Sequence, residues 1–384
     1  MSDRFLPFAL PDIGPGEIDA VTSALRSGWL SSGPLVQEFE RRFARHCGAD
    51  VTAVAVNSAT AGLHLALEAL GIGPGAEVLV PTWTFTATAE VVVHVGATPV
   101  LVDVEPETLT IDLADAARKV TDRTAAVLPV HFAGRPVDAA ALAGFAHAHG
   151  LVVVEDAAHA FPAASAGVPI GAGASAATVF SFYATKTITT GDGGMLVTRN
   201  PELARRARVM RLHGFDRDGF DRYRSPRPAW HYDVVDAGYK YNLTDPAAAL
   251  GLAQLDRAET MRRRREEIAG HYREAFASLP LDLPLPAADG DQHAWHLFVA
   301  RLRPGAPVGR DEFIAELAHL GVACSVHFIP LHRHTHWRTR YWLTDEMFPV
   351  ASREFERVVS LPLYSAMTDE QVTLVIRTVQ KVLQ

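Results

Sequence analysis

The stretch VTAVAVNSATAGLHLALEAL, residues 51–70, holds the pattern that decides the fold. Its opening run, Val51–Val56, is apolar or β-branched without alternation, as in a strand covered on both faces. Small polar residues interrupt at Asn57-Ser58-Ala59-Thr60, and Ala59–Leu70 then reads as a helix. The unit recurs. Glu77–Val80 reads as a strand, followed by a helix from about Thr84 to His94. Thr98–Val102, Ala125–Pro129 and Leu151–Glu155 continue the strands, with a helix over Asp138–His149 closed by Gly150. Such alternation predicts an α/β fold with a mostly parallel central sheet and helices on both faces.

The pattern changes near Pro246. Asp245–Leu279 reads as one long helix or two abutting ones, and its charged centre MRRRREE (261–267) as a solvated face. His293–Leu302 alternates like a strand. Asp311–Leu320 reads as helical, Val322–His327 as extended and Asp369–Leu383 as a final helix. The expected organisation is a large domain, residues 1–245, and a smaller C-terminal α+β domain, residues 246–384. There is no internal repeat. Arg211–Asp233, rich in Arg, Asp, Gly and Pro, reads as a long irregular loop, a kind that is often functional.

Composition bounds the function. The chain has 384 residues, 48% hydrophobic and 21% charged, with a formal net charge of −8. That balance argues against a nucleic-acid partner, which calls for a basic face. The two cysteines, Cys47 and Cys324, form no metal-binding spacing and suggest a reduced, cytoplasmic setting. The N-terminal MSDRFLPFALPDIGPGE lacks a signal-peptide core, and apolar runs such as Val91–Val95 are too short to span a bilayer, so no membrane is expected.

Ligands of parallel α/β sheets sit beyond the carboxyl ends of the strands. There Ser58, Ala59 and Thr60 open a helix, where N–H groups and hydroxyls suit an anion; on this stretch alone a plain Ser cap reads somewhat better. Asp156 ends a strand and suits a cationic ring nitrogen, or a turn cap; His159 follows. In TVFSFYATKTITTGDGG (178–194), Ser181 ends a strand and Lys186 lies in a small-residue loop. Alone, Lys186 reads as a surface lysine. In order, though, come an anion-binding helix start, an aromatic-bearing stretch (Pro81–Phe85), an Asp, a Ser and a Lys. That is the layout a pyridoxal phosphate site requires.

The chain also resembles the DegT/DnrJ/StrS family of sugar aminotransferases. The matching segments are SGWLSSGP (27–34), NSATAGLHLAL (57–67), GATPVLVDV (96–104), PVHFAG (129–134), VVEDAAHA (153–160), FSFYATKTITTGDGG (180–194), GYKYNLTDPAAALGLAQL (238–255), HAWHLF (293–298) and SLPL (360–363). Among members it looks most similar to the enzyme making UDP-4-amino-4-deoxy-arabinose. The resemblance implies a fold-type I architecture and pyridoxal phosphate as cofactor. It implies Lys186 as Schiff-base lysine and proton shuttle, Asp156 as partner of the pyridinium nitrogen, and His159 close to the ring. Phe85 would stack on the other ring face, and Ser58, Ala59, Thr60 and Ser181 would hold the phosphate. Lys240 and Asn242 would reach the neighbouring subunit's site in a homodimer. Trp29, Ser31, Trp83, Tyr183, His296 and His327 are placed at the substrate. The family usually has Glu where Asp192 stands and varies around Lys240 and Asn242, which leaves the cross-subunit phosphate ligand open.

The implied reaction moves an amino group from L-glutamate to a nucleotide-linked 4-keto sugar, TDP or UDP, with a pentose among the candidates. The Ala- and Arg-rich composition adds an antibiotic deoxysugar as context. Rivals are 3-amino transfer, a sugar 3-dehydratase (whose relatives replace the lysine by His) and a non-catalytic regulator, which would not need Lys186. Three further features carry less. His327, His332, His334 and His336 with Asp345 form no expected metal site, because alternating histidines of a loop or strand do not converge. Gly171–Ala176 only superficially resembles a dinucleotide fingerprint, having no strand before it and a strand after it. Arg222, Arg224 and Arg227 suit a pyrophosphate or a solvated loop alike.

Overall fold

A computed structural model of the protein describes residues 5–48, 50–216 and 232–384. Within them, strands β1 (Thr52–Val56), β2 (Glu77–Pro81), β3 (Thr98–Val102), β4 (Thr124–Val127) and β5 (Val152–Asp156) fall within two residues of the expected runs. A short antiparallel hairpin, β6 (Ala164–Ser165) and β7 (Val168–Pro169), precedes β8 (Ala177–Ser181) and β9 (Gly194–Thr198). The seven-stranded sheet runs β1-β9-β8-β5-β4-β2-β3. β9 is antiparallel to both its neighbours, and the other pairings are parallel. The α/β expectation therefore stands.

Both faces are covered, which explains the absence of alternation. Val54 and Val56 of β1 join one apolar cluster with Leu63, Leu67 and Val179. Ala53 and Ala55 join another with Phe39, Phe43 and Phe180. A third cluster sets Leu79, Val127 and Val153 against the helix Ala139–His149. Burying each valine or leucine contributes roughly 1.5–3 kcal/mol before entropy.

The smaller sheet holds β10 (Leu281–Asp282), β11 (Phe298–Leu302) and β12 (Val358–Leu361), all antiparallel. Its core joins Phe298 and Val359 with Tyr272, Phe276, Phe313 and Val375. The helix Asp245–Ala275 is one unbroken element of 31 residues. Four expectations need correction. The strand read from His293 begins at Phe298, because the His293 ring accepts the Trp295 N–H at 2.8 Å and turns the chain. MRRRREE is not wholly solvated, since Arg262 and Arg265 are buried. A two-residue strand does precede Gly171, although the strand after it still rules out the fingerprint. His332 lies on a 3-10 turn and His336 on the helix Thr335–Tyr341, with His334 capping the junction between them.

Candidate active site

The carboxyl ends of β1, β5 and β8 meet at a pocket of about 480 Å³. At β1, Ser58 caps the helix Ala59–Ala69: its Oγ accepts the Ala61 N–H at 3.1 Å. Ser58, Ala59 and Thr60 all face the pocket, where the first N–H groups of a helix favour an anion. Gly194 lets β9 start directly beneath this turn. A Cβ there would lie 2.6 Å from the Ser58 carbonyl carbon and 2.7 Å from the Ala59 nitrogen. Ser181, at the end of β8, adds a hydroxyl to the same pocket.

Asp156 closes β5 and is buried. Its carboxylate accepts the Thr88 hydroxyl at 2.8 Å and the Ala158 N–H at 3.0 Å. Burial still pushes its carboxyl above the usual carboxylate range, against these bonds and the Lys186 charge. It is a desolvated anion site without a full countercharge.

Lys186 follows β8, with its backbone N–H bonded to the Tyr183 carbonyl at 2.9 Å. Burial of its amine pulls it down to about 8; the Asp156 charge opposes this and the Arg265 charge adds to it. Such a lysine has a sizeable neutral fraction near neutral pH, which a nucleophilic amine needs. Its Nζ stands 3.4 Å from Nε2 of His296. The His159 and His296 rings lie 4.4 Å apart, and burial first, then the Lys186 charge, holds both well below the ordinary imidazole range. His327 is pulled down to about 4 by burial, and its Nδ1 lies 3.0 Å from the Ser360 hydroxyl.

The pocket thus gathers Ser58, Ala59, Thr60, Phe85, Asp156, His159, Ser181, Tyr183, Lys186, His296 and His327. Five expected residues lie elsewhere. Trp83 is fully buried behind the wall, its Nε1 donating to the His327 carbonyl at 3.2 Å, so it shapes the pocket without lining it. Trp29 donates to the Ser32 carbonyl at 3.0 Å, and the Ser31 carbonyl accepts the Asp245 N–H at 3.2 Å. Asn242 is buried and donates to the Ser32 hydroxyl at 2.8 Å, while Lys240 is exposed and donates to Asn242 Oδ1 at 2.5 Å. Arg222, Arg224 and Arg227 lie outside the described residues.

Thr88 and Phe328 escaped the sequence reading. Phe328 lies 5.8 Å from His159 at 28°, and 6.1 Å from Phe85. No periodicity marks either, since each gains its role from contacts far along the chain. Among the described residues no cluster of three or more His, Cys, Asp or Glu is gathered for a metal. His332 is instead engaged by the hydroxyls of Thr82 at 2.8 Å and Ser352 at 2.9 Å.

The donor set fits pyridoxal phosphate. It offers a helix start for the phosphate, a buried carboxylate with only through-space charges from Lys186 and His131 near it, and a lysine with a depressed pKa. Comparison with known proteins agrees. The sequence profile of the DegT/DnrJ/EryC1/StrS aminotransferase family matches residues 11–380. The spore coat polysaccharide biosynthesis protein SpsC of Bacillus subtilis is 47% identical over 385 residues, covering 100% of this chain and 98% of SpsC. Spr1654 of Streptococcus pneumoniae has been solved in PLP and PMP forms. The PMP form superposes with a TM-score of 0.91 at 34% identity, covering 98% of each chain. PseC of Helicobacter pylori, an aminotransferase in pseudoaminic acid biosynthesis, superposes with a TM-score of 0.90 at 25% identity, covering 99% of each. The chain belongs to the DegT/DnrJ/EryC1/StrS aminotransferase family, sugar aminotransferases of fold-type I that use pyridoxal phosphate.

Proposed function

We propose that this chain transfers an amino group from L-glutamate to a nucleotide-linked 4-keto sugar, with Lys186 carrying the cofactor. The observation behind this reading is the enclosure of Lys186 between Asp156 and the paired imidazoles of His159 and His296. Pyridoxal phosphate, when bound, supplies an aldehyde for the amine and a ring that accepts electrons from the substrate carbon. The rest falls to the chain. Ser58, Ala59, Thr60 and Ser181 hold the phosphate. Asp156, aimed by Thr88, would hold a protonated ring nitrogen. His159 and Phe85 would pack against the ring. The Lys186 amine would take up and return a proton at the substrate carbon. Tyr183, His296 and His327 line the space left for the sugar.

The finer parts belong to the same proposal. The nucleotide is TDP or UDP, amination falls at C4, and the sugar is a pentose or a deoxysugar. SpsC's spore coat polysaccharide and PseC's pseudoaminic acid support a carbohydrate destination, with antibiotic decoration as the alternative. The catalytic unit is a cytoplasmic homodimer. Each chain divides into residues 1–245, which build the cofactor site, and 246–384, which close it. Residues 238–245 complete the partner's phosphate site, with Lys240 as the available cation.

The test is a panel of UDP- and TDP-linked 4-keto and 3-keto sugars with glutamate, following 2-oxoglutarate and the amino sugar. One 4-keto sugar should turn over fastest, and Lys186→Ala should lose both turnover and the visible cofactor band. Preference for 3-keto sugars would overturn the assigned position. Near-normal turnover by Lys186→Ala would overturn the role of the lysine.

A further inference from the structure

Arg265 sits inside MRRRREE, yet it is 2% exposed. It falls on the buried stripe of its helix with Ala258, Met261, Ile268 and Tyr272. Its Nη1 donates to the carbonyls of Leu363 at 2.8 Å, His296 at 3.3 Å and Trp295 at 3.4 Å. Its Nε is buried without a hydrogen-bond partner, and among the described residues no carboxylate pairs with it. Asp12 acts on it through space but is itself bonded to Arg257 at 2.7 Å. A buried guanidinium without a countercharge is costly, and a neutral donor would clamp carbonyls more cheaply. Its place suggests why a charge is kept. The backbone it holds is that of His296, whose ring meets Lys186. Gln254, three helical turns earlier on the same face, accepts the Thr189 N–H of the Lys186 loop at 3.3 Å. One helix face thus fixes both walls around the amine.

We propose that Arg265 is a positioning residue of the amino-transfer site, which holds His296 against Lys186 and keeps a positive charge at the backbone of that histidine. The proposal rests on the reading of Lys186 as the cofactor lysine. The charge opposes protonation of the Lys186 nitrogen, in the same direction as burial and against Asp156. The other groups facing the amine, His159, His296 and His327, stay neutral near pH 7 through burial, and Asp192 is exposed at the rim. Arg265 therefore sets a charge that the imidazoles do not.

The test uses holoenzymes of wild type, Lys186→Ala, Arg265→Met and Arg265→Lys, and titrates the visible cofactor band with pH. Arg265→Met should raise the midpoint by about one pH unit. It should also lower kcat roughly tenfold while KM for glutamate changes less than about threefold. Arg265→Lys keeps the charge but cannot span three carbonyls, so its midpoint should stay within a few tenths of a unit of wild type while kcat falls. An unmoved midpoint in folded Arg265→Met, or an unchanged kcat in Arg265→Lys, overturns the proposal. Should Arg265→Met fail to fold, the kcat of Arg265→Lys decides alone. A visible band surviving in Lys186→Ala would instead overturn the underlying reading, so the two failures are separate.

Discussion

Lys186 shows how much a single side chain depends on what surrounds it. In sequence it is a lysine among small residues; in the pocket burial takes its amine down to about 8 from an ordinary value of 10.5. The sign of the consequence follows from linkage. The folded pKa lies below the unfolded one, so the unfolded chain binds more protons between these two values. Stability is lost as pH falls through the folded pKa and is full only above the unfolded one. In cofactor-free protein, Lys186→Met should therefore be more stable than wild type at pH 7, by up to about 3 kcal/mol. The gap should close as pH rises from about 8 to 10.5. Urea denaturation of both proteins across pH 7–10.5 measures it, and a gap independent of pH would contradict the buried-amine account. Arg265 teaches the converse. Its position between Met261 and Ile268 on an apolar stripe was visible at helical spacing, but the run of four arginines suggested solvent. Charge density alone does not tell which side chain of a helix faces inward.

At the scale of elements, the strands were legible because burial on both faces writes itself into unbroken apolar runs. The helices Pro15–Ser27 and Pro34–Cys47 were not read, though each begins with Gly then Pro, a fair helix-start signal. The alternation at His293–Leu297 misled because side-chain bonds to backbone, not a pleat, set that segment. The phosphate cradle is an element-level device as well. Its geometry depends on β9 starting against the Ser58–Ala59 peptide, which only glycine permits at position 194. Gly194→Ala should force the two apart, cost roughly 1–3 kcal/mol of stability and weaken pyridoxal phosphate binding at least about tenfold. Gly144→Ala is the control: nothing lies within 4 Å of a Cβ there, inside the helix Ala139–His149. It should leave cofactor binding alone and stabilise the chain by up to about 1 kcal/mol. Cofactor titration by fluorescence separates the two. Equal affinity in both variants would mean that the close approach at position 194 is not what shapes the site.

At the scale of the whole molecule, the pocket is open where a second chain is expected. Phe85 is 60% exposed and Tyr183 52% exposed at its rim, unusual for aromatic rings beside a reacting amine. Lys240 and Asn242, expected near a phosphate, do not line this chain's pocket; they lie on an edge segment that pairs with β1 through Val56 and Asn242. The structure also separates the two residues. Asn242 is buried and bonded to Ser32, whereas Lys240 is exposed and uses only one of its three donors on Asn242, so Lys240 is the one proposed to reach a partner. A homodimer with shared sites makes a sharp expectation. Lys186→Ala and Lys240→Ala homodimers should each be inactive or nearly so. In a mixed dimer one site carries both defects and the other neither. Equal mixing with random exchange makes half the dimers mixed, so activity should return to about a quarter of wild type. Measuring turnover after subunit exchange, alongside mass spectrometry of the mixed dimer, checks this directly. Mixed dimers formed from two inactive parents without recovery would mean that each chain completes its own site, and that the edge segment serves only to hold Ser32.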